Sequence, residues 1–597
     1  MKIAGFGVAL KKCTTSAVRF SYPALANRSV LALAAGITSL FLLCPAPAQE
    51  AAPQPEYIRG IVVNSVTHEP VGRALVFSSS NRFATLTNSE GRFELALPPA
   101  PKSNENMGSV LVTAGTAFSV PLMARRPGFL EDYAHGSVSA APGKETTIKL
   151  VPEALIVGHV VLPSSEPSDQ IQVELYRRTV QDGRARWVMQ NQVRSKASGE
   201  FRFAELPAGS YKLLTRELLD RDPLTTYPGG QLFGYPPVYF AAASDFVSAQ
   251  SIQLAAGKTF QADIVLVKRP YYTVRIAVTN SQPTLGMQVV VAPEGHWGPG
   301  YSLGAGQTSI SGLLPDGTYV VEAGGFGPNS STGLLSFAVK AAPAEGAVMA
   351  LTPNASIPVS VKEEFAGPES GGATAAIIEG TPIKHLGFHP SGPRKYLNIR
   401  LEPVDDFGLR SLSSLRPPTS EEDESLVIDN VIPGSYWVKI DSSRGFPSSV
   451  TAGGVDLLHE PLVVSGGSSP PIEITMRDDW AQVDGIVDGV ASPFEQSSNP
   501  LAQIGIPFPA GGAHAYFVPL SEGSGEFRDA WVDGDGKFNL EQIPPGAYRV
   551  LAFDREQPEL EYRNAEAMRA YESKGQVVRL LGNQKEHLHL QLINTNE

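Results

Sequence analysis

Cysteine is almost missing from this 597-residue chain: there are two, Cys13 and Cys44, and none after them. Beyond residue 44 that absence excludes disulfide staples, thiol catalysis and cysteine-ligated metal, so any fold there rests on hydrophobic cores. Positive charge is also short. With 48 basic against 60 acidic residues the formal charge is −12, which leaves no cationic surplus to neutralise phosphates and argues against nucleic acid as a partner. Helical periodicity is scarce, the one candidate being Asn564 to Ser573, opened by an Asn cap and closed before Gly575. Long apolar runs are lacking as well, apart from Val30 to Leu43.

That run has the setting of a leader. Lys2, Lys11, Lys12, Arg19 and Arg28 lie before it, no acid occurs before Glu50, and Pro45-Ala46-Pro47-Ala48-Gln49 follows. The apolar stretch is shorter than the ~20 residues of a spanning helix, and a positive start with an Ala-x-Ala site is the plan of a cleaved secretory signal. Residues 1–48 are therefore expected to be a signal peptide and 49–54 a linker. The mature chain is then exported, whether periplasmic, outer-membrane-associated or extracellular, with no membrane span. Losing a leader with five basic residues and no acid takes the charge from −12 to −17. Leu43, not a small residue, precedes Cys44, which argues against a lipoprotein.

Glycine and proline, in contrast, are plentiful: 57 and 49 residues, about 18% together against a usual ~12%. They recur in fixed patterns. An opening strand with a central glycine appears as Ile58-Arg59-Gly60-Ile61-Val62, Ile156-Val157-Gly158-His159-Val160 and Val483-Asp484-Gly485-Ile486-Val487. A polar turn followed by Gly-x-Phe appears at Gly91-Arg92-Phe93, Gly199-Glu200-Phe201 and Gly536-Lys537-Phe538; the glycine supplies the positive φ of a tight hairpin and alternation puts the ring on the core face. A Pro-Gly turn leading to tyrosine two residues on appears four times, ending at Tyr211, Tyr319, Tyr436 and Tyr548. Alternating closers such as Thr146–Leu150, Ala262–Leu266 and Ile472–Met476 end units. The pattern predicts an all-β chain, a tandem array of about five Ig-like or prealbumin-like β-sandwich domains at 55–152, 153–269, 270–352, 353–477 (with an acidic loop, Glu421–Glu424) and 478–597.

Together these pieces resemble the carboxypeptidase regulatory-like domain, a transthyretin-like β-sandwich related in fold to starch-binding-like domains. The first unit carries Gly60-Ile61-Val62, Glu69-Pro70-Val71-Gly72-Arg73-Ala74-Leu75-Val76 and Thr87-Asn88-Ser89-Glu90-Gly91-Arg92-Phe93; the second carries Gly158-His159-Val160 and Leu206-Pro207-Ala208-Gly209-Ser210-Tyr211; the fifth matches from Val532 to Phe553. The third and fourth match only at the Pro-Gly-Tyr turn. The resemblance implies a fold and no chemistry, because its motifs are turn and core residues. It implies an appendage to peptidases, outer-membrane receptors or glycan-acting proteins, yet the zinc carboxypeptidase motif is absent: none of the ten histidines has a glutamate three residues on. No series of barrel strands follows either.

Candidate sites are few. Gly300-Tyr301-Ser302-Leu303-Gly304 has the Gly-x-Ser-x-Gly form of a hydrolase nucleophile elbow, but a glycine-rich, strand-like stretch follows where a helix is needed. Asp533-Gly534-Asp535-Gly536 starts like a calcium loop and then fails, with Lys537 fifth and Pro544 twelfth. His587 and His589 share a strand face without a third ligand, reading as an exposed edge strand. The stronger signal is aromatic. His296, Trp297 and Tyr301 lie in one Gly/Pro loop, and Tyr227 and Tyr235 in another; sugars dock on flat rings flanked by hydrogen-bonding groups. The expectation is an exported, non-catalytic multidomain protein without cofactor or metal that binds a polysaccharide through these five residues, the alternatives being a scaffold docking to an envelope protein or, remotely, a hydrolase.

Overall fold

The computed structural model describes residues 56–595 except 79, 98–119, 132–137, 164–169, 220–229, 281–284, 327–329, 367–391, 411, 421–422, 467–468, 491–508 and 521–524. The expected signal peptide and linker lie outside the described residues. The described residues form an all-β tandem array of Ig-like β-sandwiches, and their buried apolar residues fall into five successive main cores. These run from Ile58 to Leu150, Ala154 to Leu266, Val274 to Leu351, Ala355 to Met476 and Ala481 to Leu590. One plan serves all five. An opening strand pairs antiparallel with a hairpin strand on one side and parallel with the closing strand on the other, as Glu56–Asn64 does with Arg92–Leu97 and Glu145–Leu150. The same trio is Ala481–Asp488, Lys537–Ile543 and Lys585–Ile593 at the far end of the chain.

The repeated residues explain why this trio closes. Gly91, Gly199 and Gly536 have φ of +72°, +81° and +76°, the left-handed conformation a tight hairpin needs. Each turn aims its phenylalanine at the central glycine of the opening strand, with register pairs Gly60–Phe93, Gly158–Phe201 and Gly485–Phe538. The ring lies over the glycine so closely that a Cβ at Gly158 would stand 2.7 Å from Phe201 and 1.8 Å from the Ala262 carbonyl oxygen. Two motifs separated by about 40 residues in sequence are thus one cross-strand contact.

The Pro-Gly-Tyr turn builds the second sheet. It starts the strands Gly209–Thr215, Gly317–Phe326, Gly434–Ser442 and Gly546–Phe553. Every one of the four tyrosines is at most 3% exposed, and every hydroxyl donates to the carbonyl four residues earlier: Tyr211 to Pro207 at 2.7 Å, Tyr319 to Pro315 at 3.0 Å, Tyr436 to Ile432 at 2.6 Å and Tyr548 to Pro544 at 2.7 Å. Burying the ring drives the contact, and the hydrogen bond satisfies the one polar atom carried inward.

The sandwiches are joined by polar seams. The hairpin Gln172–Gln181 and Arg184–Arg194 of the second reaches both the fourth and the fifth. At its tip Asp182 meets Lys439 and the Tyr562 hydroxyl, while a Cβ on Gly183 would touch the Tyr562 ring at 2.7 Å. Arg178 pairs with Glu561 at 2.5 Å, and Arg184 covers the Trp437 ring at 3.5 Å. Between the third and fourth, the buried Glu322 accepts from the Leu409 N–H at 3.1 Å and faces Arg410 at 3.6 Å. The expected C-terminal helix is shorter than its sequence pattern: Asn564 caps Ala565–Met568 by accepting from the Glu566 and Ala567 N–H groups, and Arg569–Tyr571 then tightens to a 3₁₀ turn.

Candidate functional site

The segment from Glu294 to Leu303 follows the strand Gly286–Pro293 of the third sandwich and lies against the second. Its small residues permit the close approach. A Cβ on Gly298 would stand 2.9 Å from Phe246, and one on Gly300 2.7 Å from Pro237. The Tyr239 hydroxyl donates to the Pro299 carbonyl at 2.8 Å, and the Glu217 N–H to the Gly300 carbonyl at 3.2 Å. Ser302 completes the clamp, since its N–H and its hydroxyl both donate to Glu217 Oε1, at 2.7 and 2.6 Å.

Held this way, the loop leaves His296 exposed and Trp297 half-buried. His296 Nδ1 lies 3.0 Å from Asp245 Oδ2. Burial opposes the charge on Asp245, but the Ser248 N–H and the Ser244 hydroxyl, both donating at 2.8 Å, together with His296, hold its carboxyl below the usual range. A fixed carboxylate fixes the imidazole, and the pair stands next in sequence to a partly open indole. Such an arrangement can offer one apolar face and two hydrogen-bonding groups without first ordering a loop.

The other ring candidates stand elsewhere. Tyr235 is corrected: it is 2% exposed and belongs to the second core. Gly/Pro content suggested an open loop, but Leu232–Tyr235 forms a strand that pairs with Arg269–Asn280 and carries the ring inward. Tyr301 is corrected in part, for it packs edge-on against Tyr319 at 5.5 Å and burial pushes its hydroxyl up to about 12. Tyr227 lies outside the described residues. The structure therefore brings together His296 and Trp297, and adds Asp245 and Glu217, which carry no sequence signal because their roles come from another sandwich.

The remaining motifs resolve into structure. Ser302 donates to a glutamate, and the strand Gly304–Ala305 follows it, so the elbow's strand-to-helix setting is not formed. Asp533 is a hairpin acceptor, taking the Asp535 N–H at 3.0 Å and the Lys537 N–H at 2.7 Å. His587 and His589 lie on an exposed strand face, as expected: Lys585–Ile593 pairs with Ala481–Asp488 along their length and meets Gly546–Phe553 only beyond them, at Leu592 and Ile593. Each histidine has its own carboxylate: His587 faces Asp484 at 2.6 Å and His589 faces Asp488 at 3.3 Å. Among the described residues no group of three or more His, Cys, Asp or Glu is placed to hold a metal ion, and no helix is long and apolar enough to cross a membrane.

Fold and seams define a class: a multi-sandwich β-protein of Ig-like type. No family model matches the chain, and no curated protein does. Solved structures with some likeness include the Bacillus anthracis TIE protein, at 9% identity and TM-score 0.14 over 71% of this chain and 68% of that one. The pilus adhesin SpaC from Lactobacillus rhamnosus GG gives 10% identity and TM-score 0.14 over 50% and 43%. The RrgB pilus protein from Streptococcus pneumoniae gives 8% identity and TM-score 0.13 over 74% and 98%. Likenesses this low carry no argument about what the chain does.

Proposed function

We propose that this is an exported, non-catalytic binding protein of five carboxypeptidase regulatory-like sandwiches, bounded at 55–152, 153–269, 270–352, 353–477 and 478–597, that recognises a polysaccharide. The observation that carries the reading is the pinned loop at the seam of the second and third sandwiches. It holds Trp297 partly open beside the His296–Asp245 pair, at 3.0 Å, in the combination of flat apolar face and fixed polar groups that suits a sugar ring. The expected result is that Trp297→Ala weakens retention of the protein by a polysaccharide gel while its Tm stays nearly unchanged. Failure of the unaltered protein to bind any member of a broad glycan panel would sink the reading.

The polar seams favour a second reading, a rigid scaffold that docks to another envelope protein. Asp182 gathers groups from the fourth and fifth sandwiches at one hairpin tip, which suits a part that must hold its shape. In-cell cross-linking from introduced surface cysteines checks it: recovery of one recurrent envelope protein supports docking, and products containing only this chain refute it.

A further inference from the structure

The fifth sandwich carries an aromatic surface on a strand, far in sequence from the glycine- and proline-rich loops. Alternation along Arg528–Asp533 turns Ala530 and Val532 inward, at 4% and 0% exposed, and leaves Trp531 outward at 57%. This strand ends its sheet, with Pro509–Pro519 its one partner among the described residues. A ring so exposed is nevertheless held firmly. His514, its register partner, packs against it at 4.3 Å between centroids. The row continues through Tyr516 at 5.8 Å, Phe527 at 5.7 Å and Tyr562 at 4.1 Å, and the Tyr562 hydroxyl reaches Asp182 of the second sandwich. An indole at the end of such a row has little side-chain freedom left to lose on binding.

Two polar groups adjoin the ring. Asp529, two residues earlier on the same face, keeps half of its side chain exposed. His514 is only 3% exposed, and its Nδ1 faces Asp529 Oδ2 at 3.7 Å. The imidazole thus lies beneath the surface, bracing the indole on one side and drawing the Asp529 carboxyl below its usual range, which keeps that carboxylate charged. Asp529 and Asp533 on the same strand make the surroundings acidic, which disfavours anionic ligands.

We propose that Trp531 and Asp529, braced from beneath by His514, form a stacking platform for a neutral saccharide chain, an inference that rests on the polysaccharide reading above. The C–H face of a hexose would lie on the indole, with its hydroxyls donating to the Asp529 carboxylate.

The test is affinity electrophoresis of the full chain through laminarin, hydroxyethylcellulose, glucomannan or xylan, with polygalacturonate as the acidic control and choline as a cationic competitor. At least one neutral polymer should retard the unaltered protein, Trp531→Ala should weaken that retention about tenfold, Asp529→Asn should weaken it less, and Trp531→Phe should keep most of it. A matching oligosaccharide should change the tryptophan fluorescence of the unaltered protein and change it less in Trp531→Phe, a readout that survives if the alanine variant folds poorly. No retention by any polymer overturns the polysaccharide reading and the platform with it. Retention that is lost in Trp297→Ala but unchanged in Trp531→Ala overturns the platform alone. Equal retention by polygalacturonate, or relief by choline and not by a neutral oligosaccharide, overturns the assignment to a neutral saccharide.

Discussion

In the first, second and fifth sandwiches the opening strand has a glycine where its hairpin partner has a phenylalanine, whereas the facing residues are both aliphatic in the other two, Ile276 with Ile310 in the third and Val359 with Leu426 in the fourth. All four aliphatic residues are buried, so both solutions fill the same space. They differ in what they specify. A ring over a glycine fits at one register only, since any Cβ at Gly60, Gly158 or Gly485 runs into the ring and into a backbone carbonyl; an aliphatic pair tolerates neighbours of similar size. The third sandwich gains specification from its predecessor instead. Leu218–Leu219 pairs with Leu232–Tyr235, which in turn pairs with the start of Arg269–Asn280, so residues leading into the sandwich extend its sheet.

The sharpest way to break this comparison is Gly158→Ala. The new methyl carbon would be 1.8 Å from the Ala262 oxygen, a backbone atom held between the two parallel pairings Thr259–Gln261 and Ile264–Val265 that cannot step aside. A loss of more than about 4 kcal/mol is expected, at the upper end of single substitutions, read as a lowered Tm or as insolubility. Ile276→Val in the third sandwich removes one methylene and should cost about 1 kcal/mol. Equal effects of the two changes would remove the distinction. Phe538→Ala follows in size, at about 3–5 kcal/mol, because it uncovers Gly485 and empties part of the fifth core; amide exchange should rise in that sandwich first.

The tyrosine corners cut across the two groups, being present in the second to fifth sandwiches, so they test what the groups share. Removing a hydroxyl by Tyr211→Phe or Tyr436→Phe keeps the ring and leaves a carbonyl without its donor. Each change should cost about 1–2 kcal/mol, with similar values in the second and fourth sandwiches. Widely different values would mean that the corner geometry is not equally strained or solvated in the two groups. The second and fifth combine both devices, and these are the sandwiches whose sequence resemblance extends furthest.

That overlap shows what could be read from the sequence. Glycine and proline are visible there because backbone conformation limits which residues a turn accepts, so Gly91, Gly199, Gly536 and the corner tyrosines stood out. Their pairing did not, since nothing local shows that Phe201 covers Gly158. Alternation also sorts inside from outside wherever a strand has it; Ala530 and Val532 mark Trp531 as outward. Tyr235 and Tyr301 mislead for the opposite reason. Their Gly/Pro surroundings looked like open loop, but the same small residues let one sandwich press against the next, and burial followed. Asp245 and Glu217 were silent because a seam is formed by residues with no common pattern.

The smallest expected effect probes that seam. Glu217 is pushed up from the usual carboxylate range by burial, against the lowering influence of the Ser302 hydroxyl and N–H, and its Oε2 is buried without a partner. Between the ordinary and the raised pKa the folded chain holds a proton that the unfolded chain has released, so stability falls as pH rises through that window and is level above it. Glu217→Gln removes the titration and keeps an oxygen able to accept from Ser302. The variant should therefore lose this part of the pH dependence and match or exceed the unaltered protein at pH 7, by less than about 1 kcal/mol. Thermal unfolding followed from pH 4.5 to 7 checks it, and a slope equal in both proteins would show that the charge of Glu217 does not bear on how the third sandwich leans on the second.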